Sequence, residues 1–331
     1  MPIIQTVQGI RFPALDDETI LDASIRNGTP LSHGCRSGQC GSCKGKVIHG
    51  ESVPLDDESG LSDAEHSAGW ILTCMRVART DLILEAESVT DDVLPESKIV
   101  ACRIHSIDQL AEDVVRVVLR LPPAVSFPYL PGQYVHVIAN NGMRRSYSMA
   151  NATAENQRLE FHIRAVPGGA MSAYWFGQAK VNDLLRLNGP LGGFYLRPVA
   201  DLDLVFLATG TGIAPVKAML EALGNALPEA RPRSVSVYWG GRTLADLYWD
   251  VSTLGSWFRY IPVLSRGHDA WTGARGHVQQ VLLAERSDLS QVVVYACGSL
   301  GMIREADAAL SKAGLPHQHF FSDAFVSSAA G

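Results

Sequence analysis

Basic charge is in deficit: 28 Lys and Arg stand against 34 Asp and Glu, a formal net charge of −6 over 331 residues. A general affinity for nucleic-acid phosphates or anionic lipid therefore has no electrostatic support, and neither nucleic acid nor membrane is expected as a partner. Long uninterrupted apolar runs are also missing. Stretches 204–216 and 291–303 contain glycines and are too short to span a bilayer, and the longer uncharged stretch 121–143 is broken by four prolines. The start, Met1-Pro2-Ile3-Ile4-Gln5-Thr6, lacks the basic segment and apolar run of an export signal, so a cytoplasmic, soluble protein is expected. Cysteine is scarce as well, with six residues, four of them within the first 74. Without an export signal a disulfide framework is not expected, and such clustering points to a metal or redox centre.

What is present is the composition of a folded chain, 47% hydrophobic and 19% charged, which excludes disorder as the main theme. At roughly 100 to 200 residues per domain, this length holds two or three domains. Residues 1–97 carry a net charge of −9 and the remainder +3, which suits a solvated acidic face and equally a module that docks on something basic. The polar, acidic, Pro-bearing stretch 90–98 reads as a linker. From Ile99 to about Pro198 come β-branched or alternating runs (114–121, 134–139, 158–165 and 183–187) broken by Gly and Pro, the pattern of a β-barrel. Beyond Pro198 strands alternate with helices: 204–208, then the helix 216–223, then 235–239 and 292–296, the pattern of a parallel α/β sheet. The expected organisation is three domains, 1–97, 98–198 and 199–331.

Cys35, Cys40 and Cys43 form C-x4-C-x2-C, and Cys74 follows after 30 intervening residues, the spacing of plant-type 2Fe-2S ligation. Gly34, Gly38 and Gly41 suit unusual dihedrals around a cluster as large as the loop that wraps it, and let backbone N–H groups approach sulfur. Zinc is the alternative, but zinc sites pair two short spacings, whereas this is one triplet and a remote single. The segment resembles the ferredoxin domain, α+β and β-grasp-like, found at one end of bacterial iron-sulfur flavoprotein reductases.

Two further motif pairs extend the resemblance to the ferredoxin-NADP reductase superfamily. Arg145-Ser146-Tyr147-Ser148 and Gly168-Gly169-Ala170-Met171-Ser172 resemble its R-x-Y-S and G-G-x-x-S flavin signatures. A guanidinium can grip flavin phosphate, a Tyr ring can cover an isoalloxazine edge, and a small hydroxyl can reach flavin N5. The glycines leave amides bare at the start of a helix expected over 171–176. The resemblance assigns Ser148 to flavin N5, Arg145 and Ser172 to phosphates, and FAD rather than FMN. Thr209-Gly210-Thr211-Gly212-Ile213-Ala214-Pro215 follows a strand and opens a helix, a pyrophosphate cradle that resembles G-T-G-x-A-P and is not the Rossmann G-x-G-x-x-G. Cys297-Gly298 and Met302 resemble C-G-x-x-x-M, in which the Cys lies beside nicotinamide C4. Arg242 follows the strand 235–239 next to Asp246, one cation beside an acid, which points to NADH over NADPH. Asp323 and Phe325 are the nearest matches to an acidic residue and a terminal aromatic that act at the flavin in plant members. Cys102 reads as structural, and His317 and His319 as surface or packing residues.

The resemblance thus covers nearly the whole chain and implies an NAD(P)H-dependent flavoprotein oxidoreductase with FAD and a 2Fe-2S cluster, passing electrons singly to a partner enzyme. Segments 295–300 and 321–326 are most similar to the CDP-6-deoxy-3,4-glucoseen reductases, which implies a pyridoxamine-dependent dehydrase as partner. The other implied reading is the reductase component of an aromatic-ring oxygenase. A non-enzymatic sensor on this fold would be expected to lack a residue of the hydride path, and Ser148, Cys297 and the Gly210 loop are all present.

Overall fold

The computed structural model describes residues 1–88 and 94–325, so residues 90–93 of the expected linker lie outside the described residues. These fall into two compact units, one of residues 1–93 with Gly192–Phe194, the other of 94–191 with 195–331.

In the first unit, strands β1 (Ile3–Thr6) and β2 (Arg11–Pro13) lead to helix α1 (Ile20–Arg26). Strands β3 (Lys44–His49) and β4 (Ser52–Pro54), helix α2 (Asp63–Ser67), and β5 (Trp70–Leu72), β6 (Arg76–Ala78) and β7 (Leu82–Ala86) follow. The main sheet runs β2-β1-β7-β3-β5, with β1 and β7 parallel at its centre and the other pairs antiparallel. Helix α1 starts at Thr19, whose hydroxyl accepts from Asp22 N at 3.0 Å, and it buries Ile20, Leu21 and Ala23 in the core with Ile4, Phe12, Leu72 and Leu84. This is the β-grasp arrangement expected of the ferredoxin segment.

The second unit opens with β8 (Lys98–Ala111), β9 (Val114–Arg120), β10 (Tyr134–Ile138), β11 (Arg144–Ser148) and β12 (Arg158–Arg164), then the short helix α3 (Ala170–Ala173) and β13 (Leu184–Leu191). They form one antiparallel sheet, order β11-β10-β13-β8-β9-β12. Just past β11, Ala150 N donates to Glu160 O of β12 at 2.8 Å, which joins the two edge strands into a barrel. The helix expected over 171–176 is split: α3 passes into a π-helical turn over Tyr174–Gln178.

The remainder is β14 (Asp203–Thr209), α4 (Ile213–Gly224), β15 (Ser234–Gly241), β16 (Arg259–Leu264), β17 (Ala274–Arg275), α5 (Val278–Glu285), β18 (Val292–Ser299), α6 (Leu300–Lys312) and β19 (Phe320–Phe325). Every pairing is parallel, in the order β17-β16-β15-β14-β18-β19. Leu204–Ala208 and Val292–Cys297 are unbroken buried runs, as a parallel sheet covered on both faces requires. The strand order reverses between β14 and β18, and the crevice outside their carboxyl ends is where such sheets bind ligands. No helix among the described residues is long and apolar enough to cross a membrane.

Candidate functional site

The four N-terminal cysteines stand as two pairs. Cys43 Sγ lies 3.2 Å from Cys74 Sγ, while Cys35 and Cys40 are bridged by Cys35 N to Cys40 Sγ and Cys40 N to Cys35 Sγ, both 3.4 Å. Ser37 N also donates to Cys35 Sγ at 3.4 Å. The neighbouring Cys40 thiol lowers Cys35 to about 5, and the Cys43 thiol likewise lowers Cys74, so one sulfur in each pair is favoured as thiolate. Among the described residues no group of three or more His, Cys, Asp or Glu is arranged to hold one metal ion. Two pairs of sulfurs with backbone N–H groups aimed at them fit a two-iron cluster and do not fit a single zinc. Of the three glycines, Gly38 and Gly41 have φ of +72° and +79°, whereas Gly34 is there for closeness, since a Cβ would sit 3.2 Å from Cys40 Sγ. Unforeseen from sequence is the buried Glu58, which accepts from Leu72 N at 2.7 Å and Arg76 Nε at 2.8 Å and so clamps the segment on either side of Cys74.

On the barrel, β11 places Arg145 on the surface, Tyr147 half-buried and Ser148 buried. Tyr147 OH accepts from Trp175 Nε1 at 3.0 Å, which fixes the ring's tilt, and burial raises the phenol to about 12, so it stays protonated. A Cβ at Gly168 would meet open space, and no side chain caps α3 at Gly169, leaving the first amides of that turn for a phosphate. Ser172 Oγ accepts from Val166 N at 2.9 Å and keeps its own O–H to donate; Met171 is buried beneath the turn.

At the carboxyl edge of the parallel sheet lies a cavity of about 550 Å³. Its walls include Thr209, Gly210, Thr211, Arg242, Gly298, Met302 and Phe325 of the residues singled out from sequence. Gly212, Pro215 and Cys297 are not in that lining; they are buried behind it. The two nucleotide loops interlock: a Cβ on Gly212 would come within 2.2 Å of Cys297 O, and one on Gly298 within 2.3 Å of Thr209 Oγ1. Thr209 Oγ1 accepts from Ser299 N at 3.0 Å, tying the same loops.

Arg242 pairs with Asp246 at 3.5 Å, and the backbone N–H groups of Arg242 and Thr243 donate to the same carboxylate at 3.0 Å. The wall also carries Glu305, which accepts from Gln279 Nε2 at 2.9 Å and lies 3.1 Å from His277 Nδ1. Arg164, which no motif marked, reaches the cavity from the barrel and meets Asp113 at 3.3 Å and Asp246 at 3.5 Å.

Barrel and sheet converge at Ser148. Its Oγ is 3.4 Å from Oδ2 of the buried Asp323, and Asp323 lies in register beside Cys297. Burial, with the Asp323 charge adding to it, pushes the Cys297 thiol well up, so Cys297 is a neutral thiol here. Sequence marked Ser148, Cys297 and Asp323 separately; their convergence spans 175 residues and no local pattern announces it.

Residues 4–79 match the 2Fe-2S iron-sulfur cluster binding domain, 101–195 the oxidoreductase FAD-binding domain and 206–308 the oxidoreductase NAD-binding domain. The CDP-6-deoxy-L-threo-D-glycero-4-hexulose-3-dehydrase reductase of Yersinia pestis is 40% identical over 326 residues, covering 97% of each chain. The reductase component of propane 2-monooxygenase from Mycolicibacterium smegmatis is 32% identical over 334 residues, covering 96% of this chain and 95% of that one. Among solved structures, the Amycolatopsis cytochrome P450 reductase GcoB superposes with a TM-score of 0.75 at 27% identity, covering 99% of this chain and 100% of that one.

Proposed function

Because the chain belongs to the ferredoxin-NADP reductase superfamily, among its CDP-6-deoxyhexulose-dehydrase-reductase-like members with an N-terminal 2Fe-2S domain, we propose that it draws electrons from NADH and delivers them singly to a pyridoxamine-dependent dehydrase acting on a CDP-deoxysugar. When bound, FAD takes two electrons at once from NADH and releases them one at a time through the cluster. The observation that carries this reading is the convergence of Ser148, Asp323 and Cys297 beside the nucleotide cavity, which joins the flavin strand to the nucleotide loops.

In this reading Thr209, Gly210 and Thr211 present backbone to the dinucleotide phosphates, with Gly212 packed behind them against Cys297 and Pro215 holding the first turn of α4. Arg145, Gly168, Gly169, Met171 and Ser172 hold the flavin phosphates and their loop. Tyr147 and Phe325 cover the ring system, and Ser148 offers its hydroxyl at N5. Gly298 and Met302 bound the nicotinamide end, with Cys297 packed directly behind Gly298. Thiolate ligands need reduced cysteines, which favours a reducing compartment such as the cytoplasm.

The dehydrase is favoured over an oxygenase as acceptor by the 40% identity to the hexulose-dehydrase reductase against 32% to the monooxygenase component. A reconstituted assay decides it: with NADH and a CDP-4-keto-6-deoxyhexose 3-dehydrase, the protein should support sugar reduction. Turnover with an oxygenase component and none with the dehydrase would overturn this assignment.

NADH is the expected donor, because the two arginines of the cavity wall, Arg242 and Arg164, are both already paired with Asp246, and a second carboxylate, Glu305, stands in the wall. A 2′-phosphate there would meet two carboxylates and two arginines that are already engaged. A higher kcat/KM for NADPH than for NADH would refute this.

Cys297 fills its place with a small polarisable sulfur that makes no hydrogen-bonding demand on the nicotinamide. Cys297→Ala should keep flavin and cluster content yet slow flavin reduction by NADH roughly tenfold, since small misplacements at near-attack distance are costly. Cys102→Ala, in the barrel core, is the control. Equal stopped-flow rates for Cys297→Ala and wild type would reduce Cys297 to a packing residue.

A further inference from the structure

Strand β12 turns Glu160, His162 and Arg164 to one side, by its two-residue period, while Leu159, Phe161 and Ile163 fill the barrel core. Glu160 Oε1 is 3.0 Å from His162 Nε2 and 3.3 Å from Lys217 Nζ on α4. Burial alone would raise the Glu160 carboxyl, but His162, Lys217 and Arg116 outweigh it and hold the group at about 2. An ionised carboxylate can only accept, so Nε2 carries the imidazole proton. Burial keeps His162 neutral against the pull of Glu160, and Nδ1 is left to accept from Tyr248 OH at 3.1 Å.

The chain of contacts continues to both halves of the reaction centre. The Tyr248 ring stands edge-on to buried Trp239, centroids 5.2 Å apart, and Trp239 Nε1 donates to Gly210 O at 3.0 Å in the phosphate loop. Lys217 Nζ donates to Ala150 O at 2.9 Å, two residues beyond Ser148. Ala152 N donates to Glu221 Oε2 at 2.9 Å, one turn farther along α4. Buried ionic networks of this kind add little stability over packed apolar groups, and what they add is direction: each partner fits in one orientation.

We propose that Glu160, His162 and Tyr248, braced by Lys217, form a strut that sets the phosphate loop at a fixed distance from the Ser148 strand, and that His162 is a positioning residue for flavin reduction by NADH. This rests on the hydride-transfer reading given above. The reacting atoms must come within about 3 to 3.5 Å, and an error of about 1 Å costs on the order of a hundredfold in rate. Glu160, His162, Tyr248 and Lys217 are not among the residues that line the cavity, so loss of the strut should change rate and leave affinity alone.

Anaerobic stopped-flow of the holoenzyme over a range of NADH concentrations separates the limiting rate of flavin bleaching from the NADH Kd. In His162→Leu the limiting rate should fall about tenfold or more, with Kd within about twofold of wild type and FAD and cluster content unchanged. His162→Gln, whose amide can donate to Glu160 and accept from Tyr248, should recover most of the loss. Tyr248→Phe keeps the ring against Trp239 and removes only the hydroxyl; it should show an intermediate fall, and it decides the matter alone if His162→Leu does not fold. Wild-type limiting rates in both His162→Leu and Tyr248→Phe, or a raised Kd at unchanged limiting rate, would overturn the strut. A wild-type protein whose flavin NADH fails to bleach would instead overturn the proposed function, and the strut's role with it.

Discussion

Cys40→Ser should abolish the cluster's visible absorption and all electron delivery to acceptors that depend on it, while NADH still reduces the flavin at close to the wild-type rate. Cys40 is buried in the Cys35 pair, so a serine there would remove one of the four sulfurs proposed to ligate the iron. The first unit has its own core, built on Ile4, Phe12, Leu72 and Leu84, and the flavin and nucleotide residues lie wholly in the second. Two compact units of this kind lose function independently. Absorbance of the purified variant gives cluster content, and stopped-flow gives flavin reduction; loss of both together would show that the units depend on one another.

Gly212→Ala should cut NADH-driven flavin reduction by about a hundredfold or more while FAD and cluster absorption remain. The added Cβ would meet Cys297 O at 2.2 Å, Cys297 C at 2.5 Å and Gly298 N at 2.8 Å, all backbone atoms that cannot swing aside as a side chain would. Relief must come from separating the β14–α4 loop from the β18–α6 loop, which spreads the walls of the cavity. Flavin, which we propose binds the barrel through β11 and α3, would not feel that change directly. Stopped-flow mixing of the variant with NADH, followed at the flavin band, checks it; a wild-type rate would mean the loops tolerate separation.

The thiol spacing was legible because a cluster ligated by one short loop imposes its pattern locally, and the Gly-rich turn after β14 was legible for the same reason. Strand β8 escaped notice: its pairing with β9 slips at Ile104/Ser106 and Gln109/Ala111, and each slip breaks the two-residue alternation that marks a strand. The turn after α3 reads as one helix by composition, but the structure widens it to a π-turn at Tyr174–Gln178, which lets Trp175 reach Tyr147. Edge strand β19 gave a weak pattern because Phe321 stacks on Tyr295, centroids 4.9 Å apart, and Asp323 turns inward to Ser148. Glu58, Arg164 and the His162–Tyr248 pair matter only through partners 14 to 86 residues away, and no window of sequence contains both members.

Anaerobic titration of the protein with NADH, followed by absorbance and electron paramagnetic resonance, tests the central claim most directly. The flavin band should bleach in wild type and in Cys40→Ser alike, and the signal of a reduced 2Fe-2S cluster should rise in the same titration of wild type and not of Cys40→Ser. A flavin that neither NADH nor NADPH bleaches, or a cluster that stays oxidised once the flavin is reduced, would contradict it.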